Sequence, residues 1–217
     1  MAAGQPRPFA DFSWETSTEL NLKNISLSTV DLATLSELRR NVYIADNVNH
    51  INLTDSHLAK CPFSEDPEHP LQGNIVRHLL IHFISSETLE TLTIAQNNFE
   101  DTHPSIFEAI LDVIKFCSPL ICIDAQQCVF SPDQFKQFVR AINNNEGITN
   151  VICTLSKSYE PTDTAELARI MRAHRGTLTT APSPEKAEAE KKTSSPLYDV
   201  TMTSHGAGNN GSMTPAL

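Results

Sequence analysis

The chain has 217 residues, 40% of them apolar, with a formal net charge of −10. That apolar share permits a packed core over most of the length. The acidity excludes phosphate-backbone binding, which needs clustered Lys and Arg, so nucleic acid is not an expected partner.

No run approaches the roughly 18 to 20 apolar residues that cross a bilayer, and no membrane association is expected. The opening MAAGQPRPFADFSWETS has no apolar signal core, and residues 1–16 read as a flexible segment. A cytoplasmic, intracellular protein is therefore expected, in which the N-x-S/T triplets at Asn24, Asn52 and Asn210 stay unmodified. The five cysteines, Cys61, Cys117, Cys122, Cys128 and Cys153, are odd in number and form no C-x-x-C pair. They imply neither a disulfide framework nor a zinc site, and read as free, mostly buried thiols.

Taken in chain order, one strand template returns five times. STELNLKNISL supplies Leu20, Leu22, Ile25 and Leu27, with a polar Ser17 in the first slot. A helical stripe follows over Thr29 to Arg40, with Val30, Leu32, Leu35 and Leu38 inward. VNHINLTDSHL supplies Val48, Ile51, Leu53, Ser56 and Leu58. The Pro- and acid-rich KCPFSEDPEHPLQG, residues 60–73, is a loop insertion, after which Asn74 to Ser85 carries Ile75, Leu79, Leu80 and Phe83. LETLTIAQNNF supplies Leu89, Leu92, Ile94, Asn97 and Phe99. The next helix is capped at Thr102 or His103, with Pro104 near its first position and Ile106, Phe107, Ile110, Leu111 and Ile114 inward.

LICIDAQQCVF repeats the template with Leu120, Ile123, Ala125, Cys128 and Phe130, and Ser131-Pro132-Asp133 opens a helix with Phe135, Phe138, Val139 and Ile142 inward. ITNVICTLSKS supplies Ile148, Val151, Cys153 and Ser156, its last apolar slot falling on polar Ser158. After Pro161 a last stripe, Leu167, Ile170 and Met171, ends at Gly176, a residue suited to the position past a helix end. The steps between first slots are 31, 41, 31 and 28 residues, and the long one contains the insertion. A single strand–turn–helix unit cannot bury its own apolar faces; stacked units close a common core. At the turn, the inward Asn97 is placed to bond main-chain groups that the bend leaves unpaired. Ser56 and Ser156 would do so more weakly, and Cys128 as a small packing substitute.

Units of the form L-x-x-L-x-L-x-x-N/C-x-F, clearest in LETLTIAQNNF and LICIDAQQCVF, resemble the leucine-rich repeat superfamily, and its helix-bearing, ribonuclease-inhibitor-like class best. The resemblance covers residues 17–176 and implies an α/β fold: a short solenoid of about five strand–turn–helix units, with degenerate end units as caps. It also implies a concave face lined by the strand residues between the inward positions. By the period-two rule these include Asn21; His50, Asn52 and Thr54; Thr91 and Thr93; Asp124 and Gln126; and Asn150 and Thr154. They are the candidate partner-binding residues, for another protein or peptide; the oligomeric state is left open.

Residues 177–217 are poor in apolar clusters and read as a disordered tail. Its one distinctive stretch, Ser195-Pro196-Leu197-Tyr198-Asp199-Val200, resembles tyrosine-phosphorylation motifs, which makes Tyr198 a candidate modification site. An effector or signalling protein acting through this tail, exported by a C-terminal signal into a host cell, is the second reading. A third is a cryptic enzyme built on Cys61 with His69, or on the helical pair His78/His82. The usual H-E-x-x-H is absent from that pair and no Gly-rich phosphate loop occurs, so no catalytic residue, metal or cofactor is assigned. The expected function is a non-enzymatic interaction module.

Overall fold

Each strand begins where the template places two inward residues around one polar position. The structure, a computed structural model, describes residues 16–43 and 47–181. Within them the strands are β1 (Glu19–Asn21), β2 (His50–Asn52), β3 (Thr91–Thr93), β4 (Cys122–Ala125), β5 (Asn150–Thr154) and β6 (Thr177–Ala181). The helices are α1 (Leu32–Val42), α2 (Gln72–His82), α3 (Pro104–Phe116), α4 (Pro132–Asn143) and α5 (Pro161–Ala173). The strands form one parallel sheet in chain order, and each helix packs on the next. This is an α/β solenoid. Leu20, Ile51, Leu92, Ile123 and Val151 occupy successive rungs of one register, and none is more than 1% exposed.

The helix stripes meet this row in a single apolar cluster that runs from Leu20 to Met171. Aromatic rings tie the third coil to the fourth, Phe99 stacking on Phe130 at 5.1 Å, and within the fourth Phe130 stacks on Phe138 at 5.3 Å. In the last coil the apolar slot that falls on Ser158 is filled one residue later. Tyr159 is buried there, stacked on Phe135 at 4.0 Å. The insertion is tied down by Asn74, whose Oδ1 accepts from the amides of Ser64 and Leu71 at 2.9 and 3.0 Å. Its Nδ2 donates to the Ser64 carbonyl.

The bends after β1 to β4 share one component, and those after β2 to β4 a second. Asn24, Asp55, Gln96 and Gln127 take left-handed φ values of 59°, 50°, 59° and 55°, each two residues past an inward template position. The amide of each of the first three donates to the next coil, to the carbonyls of Thr54, Ala95 and Gln126. That of Gln127 donates to Thr154 Oγ1 at 2.9 Å. The second component is the side chain at the inward turn position. Asn97, 2% exposed, donates through Nδ2 to the carbonyls of Leu53, Ile94 and Ala95 at 2.7, 3.0 and 3.2 Å. Ser56 Oγ donates to Leu53 O, and Cys128 Sγ to Ile94 O. Ser156 does not take this role. It is exposed and pairs with Ser158, because the extra residue that delivers Tyr159 swings it outward.

Four boundaries differ from the sequence reading, one being that of α2, which starts at Gln72, inside the expected loop 60–73, and ends at His82. The first helix starts at Leu32, not Thr29, since Asp31 caps it by accepting from the Thr34 amide at 2.9 Å. Leu32, expected inside, is thereby the first helical residue and is 38% exposed. After α5 the left-handed residue is Arg175, not Gly176. Gly176 is needed for space: a Cβ there would meet Thr149 O at 2.3 Å, while its amide closes the helix on Met171 O. The repeat also does not stop at 176. β6 pairs along its length with β5, with Leu178 opposite Val151, so the assignment of 177–181 to the tail is corrected. Residues 1–15 and 182–217 lie outside the described residues.

Replacing Asn97 with Ala leaves three carbonyls without their common donor in a buried place, and should cost roughly 2–4 kcal/mol in urea unfolding. Ser156→Ala should stay within about 0.5 kcal/mol. Equal effects would contradict the assigned roles.

Candidate binding face

Parallel pairing aligns the residues between the inward positions into rows on the sheet face away from the helices. One row is Glu19, His50, Thr91, Cys122 and Asn150; the next is Asn21, Asn52, Thr93, Asp124 and Ile152. The expected face residues are thus brought together, but they are not equally free. Asn21, Asn52 and Asp124 turn their Oδ1 atoms back to the amides two residues on, Lys23, Thr54 and Gln126, at 3.0, 3.1 and 3.0 Å. They are strand-end caps of the Asx kind. Thr54 and Thr154 are buried, and both hydroxyls are bonded within the chain. Burial, more than these single bonds, keeps both hydroxyls from a partner. Asn150 is exposed, and Thr91 and Gln126 are half-buried at the surface.

Across β1, β2 and β3 runs a polar network. Glu19 Oε1 accepts from Asn52 Nδ2 at 3.4 Å and lies 3.7 Å from His50 Nδ1. The other ring nitrogen of His50 is 3.0 Å from Thr93 Oγ1. Acid, imidazole and hydroxyl stand in the order of a nucleophilic triad, yet the acid–imidazole distance is too long for a hydrogen bond. The main chain beside Thr93 is committed to the sheet on both sides: Leu53 N–H donates to Thr93 O, and Ile94 N–H to Asp124 O. No amide is left there to hold an oxyanion. The network sets the shape and hydrogen-bonding pattern of a surface.

The other chemistry-bearing residues lie elsewhere. Burial pushes the Cys61, Cys128 and Cys153 thiols up to about 12, and Cys117 to about 11. Cys61 is thus a poor thiolate and a packing residue. His69 Nδ1 is engaged by Asp66 at 2.8 Å. His78 and His82 do share a face of α2, but His78 Nδ1 lies 3.3 Å from Arg39 Nη1 and His82 stacks on Tyr43. Among the described residues no group of three His, Cys, Asp or Glu is placed to hold a metal ion, and no helix is long and apolar enough to cross a membrane. Tyr198 lies outside the described residues. A buried side chain that the sequence reading missed is Asn145, whose Nδ2 donates to Ile114 O and Cys117 O, both at 2.8 Å, closing the end of α3. The run Asn143-Asn144-Asn145 before Glu146-Gly147 is its only trace in the sequence.

No protein-family model matches the chain, and neither does any curated protein sequence. Among solved structures it is similar to the tropomodulin C-terminal domain of Caenorhabditis elegans, with a TM-score of 0.50 and 12% identity over 81% of this chain and 89% of that one. Leiomodin-1 actin-binding site 2 gives a TM-score of 0.49 and 10% identity over 81% and 86%. At this identity the likeness to the former is one of fold: a parallel strand–helix repeat.

Asn52→Ala and Asp124→Ala should each lower stability by about 1 kcal/mol through loss of the strand-end cap, whereas Asn150→Ala should change it by less than about 0.5 kcal/mol; chemical denaturation reads both. Thiol labelling of the native protein at pH 8 should reach the half-buried Cys122 first and the other four only with denaturant. The raised thiols favour the folded state below their ordinary value of 9.0, and that contribution is lost as pH climbs toward about 12. The melting temperature should accordingly fall above about pH 9; a flat profile from pH 8 to 11 would contradict it.

Proposed function

We propose that the chain is a non-enzymatic protein–protein interaction module of the helix-bearing, ribonuclease-inhibitor-like class of leucine-rich repeats, working inside a cell without a cofactor. It binds another protein or a peptide on the sheet face away from the helices. The observation that carries this reading is the pair of aligned polar rows, in register over five strands. Repeat folds use such extended surfaces for binding. Apart from Cys122 and Ile152, the rows carry amides, hydroxyls and one imidazole, with Glu19 and Asp124 as the acids, so the partner is one that exchanges hydrogen bonds along an extended edge.

The residues that contact it are those not already spent on strand-end caps: His50, Thr91, Thr93, Gln126 and Asn150. The test follows from that division. Thr91→Arg with Asn150→Arg, two side chains with no hydrogen bond or ion pair of their own among the described residues, should reduce recovery of a partner from native cells at least about tenfold. It should leave stability within about 0.5 kcal/mol, as surface substitutions do. Undiminished recovery by a folded double variant would remove the face from the account.

A further inference from the structure

On the opposite side of the solenoid, the last turns of α1 and α2 enclose a cleft of about 790 Å³ lined by Arg39, Arg40, Tyr43, His78, Ile81 and His82. It gathers positive charge in a protein whose net charge is −10. Among the described residues neither guanidinium is paired with a carboxylate; Arg39 Nη1 instead lies 3.3 Å from His78 Nδ1. A guanidinium can only donate, so Nδ1 accepts and His78 is neutral, with its other ring nitrogen a donor. Burial, Arg39 and Arg77 all hold the His78 pKa below its usual value. Beside it, His82 stacks on Tyr43 at 4.4 Å, and Tyr43 is 69% exposed.

Cations in the last turn of a helix also offset its dipole, and that is the competing explanation for Arg39 and Arg40. The magnitudes decide against it as the whole account. Each of the two helix ends carries roughly −0.5 charge, against two full positive charges, which leaves about +1 over. A planar carboxylate offers two oxygens, and the cleft is far larger than one. A tetrahedral oxyanion accepts from several directions at once, which suits donors arriving from two helices.

We propose that this cleft is an oxyanion site whose ligand is a phosphate monoester, gripped by Arg39 and Arg40, with His78 as a further donor. The exposed Tyr43 ring, backed by His82, is a platform for a group carried on the ester. The site is independent of the sheet face proposed above.

Titrating the full-length protein with phenyl phosphate, followed by amide NMR shifts at constant ionic strength, tests this. Saturable shifts confined to the last turns of α1 and α2 are expected. They should weaken at least about tenfold in Arg39→Gln/Arg40→Gln, the loss of charge-assisted bonds. Both side chains are exposed, so the fold should survive. Arg40→Gln alone, which breaks no bond among the described residues, should weaken binding in the same direction. Tighter binding of phenyl phosphate than of inorganic phosphate supports an ester lying on the Tyr43 ring; equal binding supports free phosphate at the same site. Shifts that do not saturate, or that persist unchanged in the arginine variants, overturn the proposal.

Discussion

A main chain that must bend at the end of every strand, inside an apolar stack, leaves carbonyls with no ladder partner, and this fold depends on how they are satisfied. Asn97 donates to three carbonyls on two successive coils, of which Ala95 O also accepts from the Asp55 amide. Ser56 and Cys128 answer for one each. A buried carbonyl without a donor costs more than most single packing contacts return, so the inward side chains Ser56, Asn97 and Cys128 help to set where β2, β3 and β4 end. The left-handed residue two places past the last inward position of β1 to β4, from Asn24 to Gln127, then turns the chain out toward the helix. Because those amides bond forward to the next coil, the bends of neighbouring units are locked to one another.

The same arrangement decides what the sheet can present to a partner. Strand residues that do not face the core alternate in role as well as direction. Those at strand ends, Asn21, Asn52 and Asp124, fold back on the turn and stabilise it. Those nearer strand starts, Thr91 and Asn150, remain at the surface. Between them the Glu19, His50 and Thr93 network stiffens one half of the face. In its triad-like order the acid and the imidazole stand 3.7 Å apart, beyond hydrogen-bond distance.

Much of this was legible in the sequence, for physical reasons. Leu92, Ile123 and Val151 announce the rungs because a strand residue facing a shared core cannot be polar. Pro104, Pro132 and Pro161 mark the helix starts because proline lacks only a donor that the first turn does not use. What was not legible has equally definite causes. Gln96 and Gln127 carry no sign of a left-handed backbone, which is usually met by Gly, Asn or Asp. Thr177–Ala181 has a single large apolar residue, Leu178, since an edge strand need bury little. The template tells which way Asn52 and Asp124 point, but not that their side chains return to an amide two residues on. The cleft between α1 and α2 was hidden for another reason: Arg39 and His78 are 39 residues apart and meet only when two coils stack.

The central claim is that the coils share one interior and hold one another by bonds between turns. Native-state hydrogen exchange at rising denaturant addresses it most directly, at the amides of Leu53, Ile94 and Val129, each of which donates to a different coil. A shared core predicts that their opening free energies merge into one global unfolding curve. Separate curves, with one coil opening fully while its neighbours stay protected, would contradict the account.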